Sequence, residues 1–550
     1  MDLDLRRNGC LSIEHAELIS KLEPVVREEY NEYIGKLTKE NHITELGWLT
    51  RVTSRNTYIS LIHDSLCRLA LLEDLLDRHE PIKLVMVDSA PMQTSVKAIL
   101  EKYACDAQVD ACGEERSVKF LLIRNILQSL YLICNLWFWP KIIRGKKVPQ
   151  EDIVYLDNFV YVNSFDKNHE LKDRNYPGLI ECAPDHDRQH LWYAPTLIGL
   201  KTPIDFCKMF FEIRKSKTLF LMREDWLKAT DYLKALYLSY TLPSAIRKIS
   251  KWRGYDISLI VKEEIRLDRC SKPLANALMR YLFFQRLAEH NVRLRLVIDW
   301  CENQVIDRAL NLGVKKFYPG VYVRGYQGFI ISDYYACQQP TSYEFDAGTL
   351  PDELCVVGDA YVAHRKQYCP ELNVTVAPAF RFQEIIHYKE KPVDKNEILV
   401  LLPVTLRDCR DIIQLCLEVN IEKRYRFIIK PHPAYTKERF IKLVPEVGDK
   451  RFVFSNEPVH KLFDKAALLV SSNSSVCVEA IAANIPVAII GSRSGPAMNP
   501  LAGYVDKRYW CLCYTSAAIM QTLNREHVYA FDREYYFREV TVQSGEAFLQ

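Results

Sequence analysis

The sequence predicts an α/β protein with parallel sheets in two units joined by a linker, preceded by a helical amino-terminal portion. Three observations carry this reading. Near the carboxyl end, two apolar runs of strand length, Phe427 to Ile429 and Leu468 to Val470, each end in a polar cluster and lead into a helical pattern. Earlier, the apolar runs Ile82 to Val87, Ile153 to Val162 and Leu294 to Ile298 are separated by helical periodicities. Between the halves, residues 378–396 are polar, carry two prolines and hold no sustained period, as a linker would. The expected units are therefore a helical region over 1–80 and domains over 81–380 and 395–550.

Residues 1–80 read as helices because apolar positions recur every three or four residues in LSIEHAELISKLEPVV and YISLIHDSLCRLALLEDLLDRH. The first strand, Ile82 to Val87, ends at Asp88 without a glycine-rich loop. No GxGxxG fingerprint or P-loop occurs anywhere, which counts against simple dinucleotide binding and P-loop ATPase chemistry. Phe120 to Lys147 is the most apolar segment and long enough to span a bilayer. Arg124, Asn125, Gln128, Ser129 and Asn135 interrupt it, and a central arginine is costly in lipid. Two readings stand: a core helix at an inter-domain seam, or an interfacial helix. In the second, Trp137 and Trp139 suit the headgroup boundary, and Arg144, Lys146 and Lys147 meet anionic lipid.

After the strand Ile153 to Val162, Asp185-His186-Asp187 has metal-ligand residue types. Three adjacent residues on a loop read first as a surface turn, and no metal site is expected. Lys217 to Met222 reads as a short strand and Glu224 to His290 as helices. Leu294 to Ile298 then ends in Asp299, Glu302 and Asn303. Ligands sit outside the carboxyl ends of parallel strands, so Glu302 should face the space between the domains. Its role is either capping of the helix Val305 to Leu312 or activation of a hydroxyl, or nucleophilic attack. In VYVRGYQGFIIS, Arg324 suits a carboxylate or phosphate, and Gly325 and Gly328 permit close backbone approach or a simple turn. Arg324, Gln327 and Asn303 are the substrate-binding candidates of this half. Glu344 and Asp346 on the following loop are secondary carboxylates, ahead of a short strand at Leu354 to Val357.

The second half opens with the strand Glu397 to Leu402 and a helix at Leu406 to Val419. Lys430 and His432 close the next strand. Asn473, Ser474 and Ser475 are good cap residues for a helix from Val476 to Ala483 that carries Glu479, and the free N–H groups of a helix start attract anions. Asn484 suits the left-handed turn after that helix, before the strand Ile485 to Ile490. Tyr509 to Tyr514 and a helical, aromatic tail end the chain. Taken singly, these polar residues only cap a helix and end a strand; taken together, they converge on one crevice.

The 550 residues are 48% hydrophobic, enough for two or three folded domains. With 73 basic and 70 acidic residues, a net charge of +3 gives no global field, so nucleic-acid binding is not expected. Seventeen cysteines at irregular spacing, as in Leu354-Cys355-Val356, read as reduced core thiols. Together with an amino terminus lacking an apolar signal core, they point to the cytoplasm.

The order ILVLLP, IIKPHP, LFDKAALLVSSNSSVCVEAIAANIPVAIIG resembles the carboxyl-terminal nucleotide-sugar domain of GT-B glycosyltransferases. KPHP and SSNSS resemble the HP and SS motifs of capsule enzymes that use CMP-activated acidic sugars, including Kdo transferases and polysialyltransferases. ENQVIDRAL, RGYQGFIIS and TLPDELCVVG are similar to a bacterial surface-carbohydrate biosynthesis family. The resemblance covers about residues 290–500. It implies a GT-B fold, two Rossmann-like domains facing each other across a cleft with a helical amino-terminal portion, in which 81–380 is the acceptor domain and 395–550 the donor domain. It also implies that His432 contacts the leaving phosphate with Lys430 nearby, that Ser474 and Ser475 bind that phosphate, and that Glu479 holds the ribose. The acidic-acidic-Gly element of sialyl-type enzymes is missing. Asp346-Ala347-Gly348 matches it only partly, so Glu302 is the first choice of catalytic carboxylate and Asp346 the second. The implied activity is metal-independent transfer of Kdo or a related acidic sugar from a CMP donor to a surface polysaccharide or lipid-linked glycan. No cofactor is expected beyond the nucleotide-sugar donor. The alternatives are a CDP-glycerol polyol-phosphate transferase, a sugar-nucleotide epimerase, and a non-enzymatic scaffold of polysaccharide assembly. The implied location is cytoplasmic, peripheral on the inner face of the membrane, with the 120–147 segment as the contact.

Overall fold

A computed structural model describes residues 1–4, 9–111, 118–391, 393–422, 424–525 and 531–550. Residues 5–8 of the stretch read as lacking a signal core, Pro392 of the expected linker and 526–530 of the expected tail lie outside the described residues.

The chain forms two six-stranded sheets and one two-stranded sheet, all parallel. The small sheet pairs β1 (Leu84–Val87) with β2 (Gln108–Ala111). The first large sheet holds β3 (Ile153–Tyr161), β4 (Leu191–Ile198), β5 (Leu294–Trp300), β6 (Tyr322–Gln327), β7 (Glu353–Val356) and β8 (Asn373–Val376), in the order β4-β3-β5-β6-β7-β8. The second holds β9 (Glu397–Leu401), β10 (Arg426–Lys430), β11 (Phe452–Phe454), β12 (Ala466–Ser471), β13 (Val487–Ile490) and β14 (Trp510–Cys513), in the order β11-β10-β9-β12-β13-β14. Both are doubly wound Rossmann-like sheets. Strand order reverses between β3 and β5 in the first and between β9 and β12 in the second, and crevices open at the carboxyl ends of those pairs. The central strands are near-continuous apolar runs because helices cover both faces, as in β9, where every residue is buried.

The strands that sequence patterning misses are β2, β4, β8 and β11. Each lies at a sheet edge. β4 carries Pro195, which an edge strand tolerates because it needs no ladder donor on its open side. The expected strand at Lys217 to Met222 is only an isolated bridge from Phe220 to Tyr193, lying beside β4.

The amino-terminal region packs α1 (Ile13–Glu40) against α2 (Ile62–Asp77), and α3 (Ala90–Lys102) links β1 to β2. Ser12 caps α1 by accepting the His15 N–H at 3.1 Å. A buried ionic group fastens this region to the first sheet. Glu344 pairs with both Arg55 and Arg308, while Arg55 also reaches Asn31 Oδ1 (2.7 Å) and the Ala336 carbonyl (2.8 Å). All three charged side chains are almost wholly buried, so every one of these partners is needed to offset desolvation.

α4 (Val118–Ile142) lies along the outside of the first domain. Asn125 Nδ2 donates to the carbonyls of Leu267 (2.9 Å) and Arg269 (3.1 Å), and the Ser129 hydroxyl donates to that of Cys270 (2.8 Å). The reading of this segment as a core helix at an inter-domain seam is corrected: within its apolar window only 17% of residues are buried.

The carboxyl-terminal tail leaves the second sheet and returns to the first. The Ala379 N–H donates to the Arg538 carbonyl (2.8 Å), the Arg538 N–H donates to that of Val357 (2.7 Å), and the Phe548 ring packs 5.2 Å from Tyr326 and 5.3 Å from Phe380. Residues 531–550 thus brace both domains.

Candidate active site

Glu302 leaves the carboxyl end of β5, at the switch point of the first sheet. α5 (Val305–Phe317) begins three residues later, and its Asp307 fixes the intervening loop. One Asp307 oxygen accepts the N–H groups of Glu302 (3.0 Å) and Gln304 (2.9 Å). The Glu302 carboxyl accepts the Trp300 indole N–H at 3.2 Å and the Gln304 amide. Burial raises its pKa, while the Trp300 and Gln304 bonds and the positive charge of Arg381 oppose the rise. The capping role of this acidic loop therefore falls to Asp307. Glu302 is left partly accessible.

Behind Glu302, adjacent register sets Asp157 of β3 beside Asp299 of β5. With Asp307 they form a buried carboxylate group whose nearest oxygens lie within 4.8 Å of one another. Arg280 pairs with Asp157, and neither oxygen of Asp299 receives a hydrogen bond among the described residues. Burial first, and mutual repulsion next, hold Asp299 and Asp307 well above the usual carboxylate range.

In the second sheet the polar ends of β10 and β12 behave differently. Lys430 turns toward the edge strand and donates to the Glu457 carbonyl at 2.6 Å, and burial lowers its pKa. His432 accepts the Ala434 N–H on Nδ1 at 3.2 Å, which leaves Nε2 to carry the proton of the neutral ring. Burial lowers the His432 pKa, favouring that neutral form. After β12, the Ser474 hydroxyl accepts the Val476 N–H at 3.3 Å, and Ser475 precedes the short helix α6 (Val476–Ala482) without a side-chain cap bond. Glu479 forms no ion pair among the described residues; burial pushes its pKa up to about 7, and Arg381 opposes the rise. Asn484 takes the left-handed conformation expected of it, with φ +58°.

Two residues that sequence reasoning missed join these halves. Arg381 lies in the 378–396 stretch, exposed, with its guanidinium 5.7 Å from the centre of the Trp300 ring. It is electrostatically coupled to both Glu302 and Glu479. No sequence motif marks this arginine between Phe380 and Phe382; its place beside Trp300 comes from the fold. Tyr335 follows β6 and accepts a hydrogen bond from Asn473 Nδ2 at 2.9 Å, tying the loops at the ends of β6 and β12. Beside it stands Asp408, whose carboxyl is pushed up to about 6 by burial and by Asp411.

Other sequence candidates have structural work and are corrected. Arg324 ion-pairs with Glu353 at 2.7 Å and donates to the Phe548 carbonyl at 2.6 Å, anchoring the tail. Gln327 is buried and accepts from Arg365 at 2.6 Å, within a network that reaches Tyr504. Asn303 is buried at φ +48° and donates to the Cys337 carbonyl at 2.8 Å, turning the chain from β5 into α5. Asp346 is exposed on a short helix packed against α1, ahead of the amino end of β7 and apart from Glu302; Glu344 serves the buried arginines. Gly325 and Gly328 make room for core neighbours. A Cβ there would lie 2.7 Å from Pro351 and 2.4 Å from Tyr326 respectively. Asp187 of the acidic triplet pairs with Arg295 at 2.7 Å, and Asp185 is solvent-exposed. Glu302, His432, Ser474, Ser475 and Glu479 remain candidates, and Arg381 and Tyr335 join them.

No protein-family model and no curated protein matches the chain. Among solved structures it is similar to Staphylococcus aureus MnaA in a co-structure with UDP, at 11% identity, over 72% of this chain and 91% of that one, with a TM-score of 0.37. It is similar to Anabaena HepE in complex with UDP, at 10% identity, over 72% and 94%, with a TM-score of 0.36. It is also similar to the lipopolysaccharide outer core galactosyltransferase WaaB, at 12% identity, over 68% and 89%, with a TM-score of 0.35. At these identities and scores neither substrate nor residue role passes from them to this chain.

Proposed function

We propose that the chain is a glycosyltransferase of GT-B architecture that moves a sugar from a nucleotide-activated donor, held between the two sheets, to an acceptor hydroxyl. One observation carries this: the exposed guanidinium of Arg381 lies 5.7 Å from the centre of the Trp300 ring, whose indole N–H is bonded to Glu302 at the switch point of the first sheet, and its charge also favours the ionised form of Glu479, beside the switch point of the second. An acid–base group and a phosphate-binding cation are thereby gathered where two Rossmann-like sheets present their carboxyl ends.

In this reading Glu302, oriented by Trp300 and Gln304, takes the proton of the acceptor hydroxyl. Arg381 stabilises the charge that develops on the departing phosphate, joined by the Nε2 proton of neutral His432 and the hydroxyls of Ser474 and Ser475. Glu479 accepts from the ribose hydroxyls. The donor proposed first is a CMP-linked acidic sugar such as Kdo, whose carboxylate is a second anion for Arg381. The acceptor is a surface polysaccharide or lipid-linked glycan.

The test is release of free nucleotide from CMP-Kdo and from UDP-linked sugars, with and without a glycan acceptor. Acceptor-dependent release that falls roughly 10²–10⁴-fold in Glu302→Gln, while donor binding persists, is the expected result. Sugar isomerisation without transfer would replace this reading with an epimerase. Absence of turnover with every donor would leave a scaffold.

A further inference from the structure

We infer that the outer face of α4 is a docking surface for an anionic lipid bilayer. Phe120, Ile123, Leu127, Leu130, Trp137 and Ile142 recur at three-, four-, seven- and five-residue steps along one helix, and each is exposed, with Phe120 and Leu127 at 62%. Water-facing apolar side chains scattered singly are ordinary; a stripe running the length of a 25-residue helix is not. Neighbouring helices expose further apolar side chains. Helices Pro203–Lys215 and Ala229–Thr241 pack against α4 and add exposed Ile204 (64%), Leu233 (66%) and Tyr237 (67%).

Charge selects the occupant. Residues 118–147 contain six lysines and arginines and no aspartate or glutamate. Lys119 at one end, and Lys141, Arg144 and Lys146 at the other, are exposed. Lys141 sits 3.4 Å over the Trp137 ring, so an apolar side chain and a cation lie together, the pairing that suits the boundary between acyl chains and phosphate headgroups. A second copy of this chain seated on the same face would oppose lysine to lysine across an apolar seam. An anionic bilayer meets the apolar stripe and its basic flanks at once. Spanning is excluded by the opposite face, where Asn125 and Ser129 are buried and bonded to the backbone of residues 267–270 and Leu136 is buried in the core. The helix therefore lies flat on the domain, with one side for protein and one for lipid.

The position matters for the reaction. The Tyr131 hydroxyl donates to the Lys201 carbonyl at 3.0 Å, and a cavity of 230 Å³ runs between α4 and Ile198, Gly199 and Leu200 at the carboxyl end of β4. The lipid-facing helix thus borders the carboxyl end of the same sheet, where Glu302 lies two strands away. This last step rests on the transferase reading: a bilayer there makes the acceptor a lipid-linked glycan.

The experiment is vesicle flotation of the full chain with phosphatidylcholine alone and with phosphatidylcholine mixed with phosphatidylglycerol, read with Trp fluorescence and sedimentation velocity. The parent is expected to float with the mixed vesicles and less with the neutral ones, more weakly as salt rises. Leu127→Asp with Ile123→Asp should reduce flotation roughly tenfold or more. Lys141→Glu with Arg144→Glu should abolish the preference for anionic lipid. Both altered pairs are solvent-exposed, so melting temperature and nucleotide binding should match the parent. No flotation with either vesicle, or flotation that both double variants retain, overturns the inference, as does a dimer that Leu127→Asp dissociates without any vesicle binding. Because Glu302→Gln should float like the parent, failure of the transferase reading leaves the lipid result standing, and the reverse.

Discussion

The Tyr335 hydroxyl accepts a 2.9 Å hydrogen bond from Asn473 Nδ2, and through it the loop after β6 is held to the serine-rich loop after β12. The same hydroxyl lies 3.3 Å from Met498 Sδ, so both its faces are engaged. Tyr335→Phe keeps the ring packing and removes the link together with the weaker contact to Met498 Sδ, at about 1 kcal/mol. The expected outcome is a small fall in melting temperature with a several-fold loss in kcat/KM. An unchanged kcat/KM would place the link outside the catalytic cycle.

Arg381 forms no ion pair among the described residues, and its guanidinium lies 5.7 Å from the centre of the Trp300 ring. Arg381→Ala should lower turnover roughly 10²-fold by removing charge from the leaving phosphate. Arg381→Lys should recover only part of it, because an ammonium neither stacks nor bonds in a bidentate fork. Steady-state kinetics of the two variants check this, with melting temperature as control.

The Glu479 pKa is raised to about 7, from an unfolded value of 4.5. A carboxyl raised on folding stabilises the native state below its unfolded pKa, and that contribution is lost as pH climbs through the folded value. Parent stability should therefore decline between about pH 4.5 and 7 through this group, and Glu479→Gln should remove that part of the decline. Urea midpoints across the range measure it. The variant should gain most above pH 7 and little below pH 4.5.

Arg308 is fully buried, pairs with Glu344 and donates to the Thr53 and Ser54 carbonyls at 2.9 and 2.8 Å. Arg308→Ala would leave Glu344 with Arg55 as its one paired cation and the Thr53 and Ser54 carbonyls without this donor. The expected loss is about 3–5 kcal/mol, with the amino-terminal helices released first in hydrogen exchange.

The legible parts of this fold are the strands whose two faces are buried. ILVLLP, RFIIK and AALLVS read as β9, β10 and β12 because continuous apolar runs survive only in a covered parallel sheet. The edge strands β4 and β11 did not read, since an edge admits Pro195 and needs only three residues at Phe452–Phe454. Glu302 was legible because it follows a strand end, and Asn484 because a left-handed turn narrows the choice of residue. Arg324, Gln327 and Asn303 looked like ligand-binding residues because polarity alone does not say whether a partner is substrate or backbone. Here the partners are the Phe548 carbonyl, Arg365 and the Cys337 carbonyl. Arg381 was hidden for the opposite reason: its importance comes from the meeting of two domains more than 170 residues apart at Glu302 and Glu479, which no local pattern records.

The central claim, that the cleft between the two sheets binds an activated nucleotide, is tested most directly by calorimetric titration with CMP, CDP, UDP and GDP. The parent is set beside Arg381→Ala and the Ser474→Ala, Ser475→Ala double variant. The account predicts one bound nucleotide per chain, with CMP preferred and affinity falling roughly tenfold or more in each variant. No binding of any nucleotide by the folded parent, or binding that both variants retain in full, would contradict it.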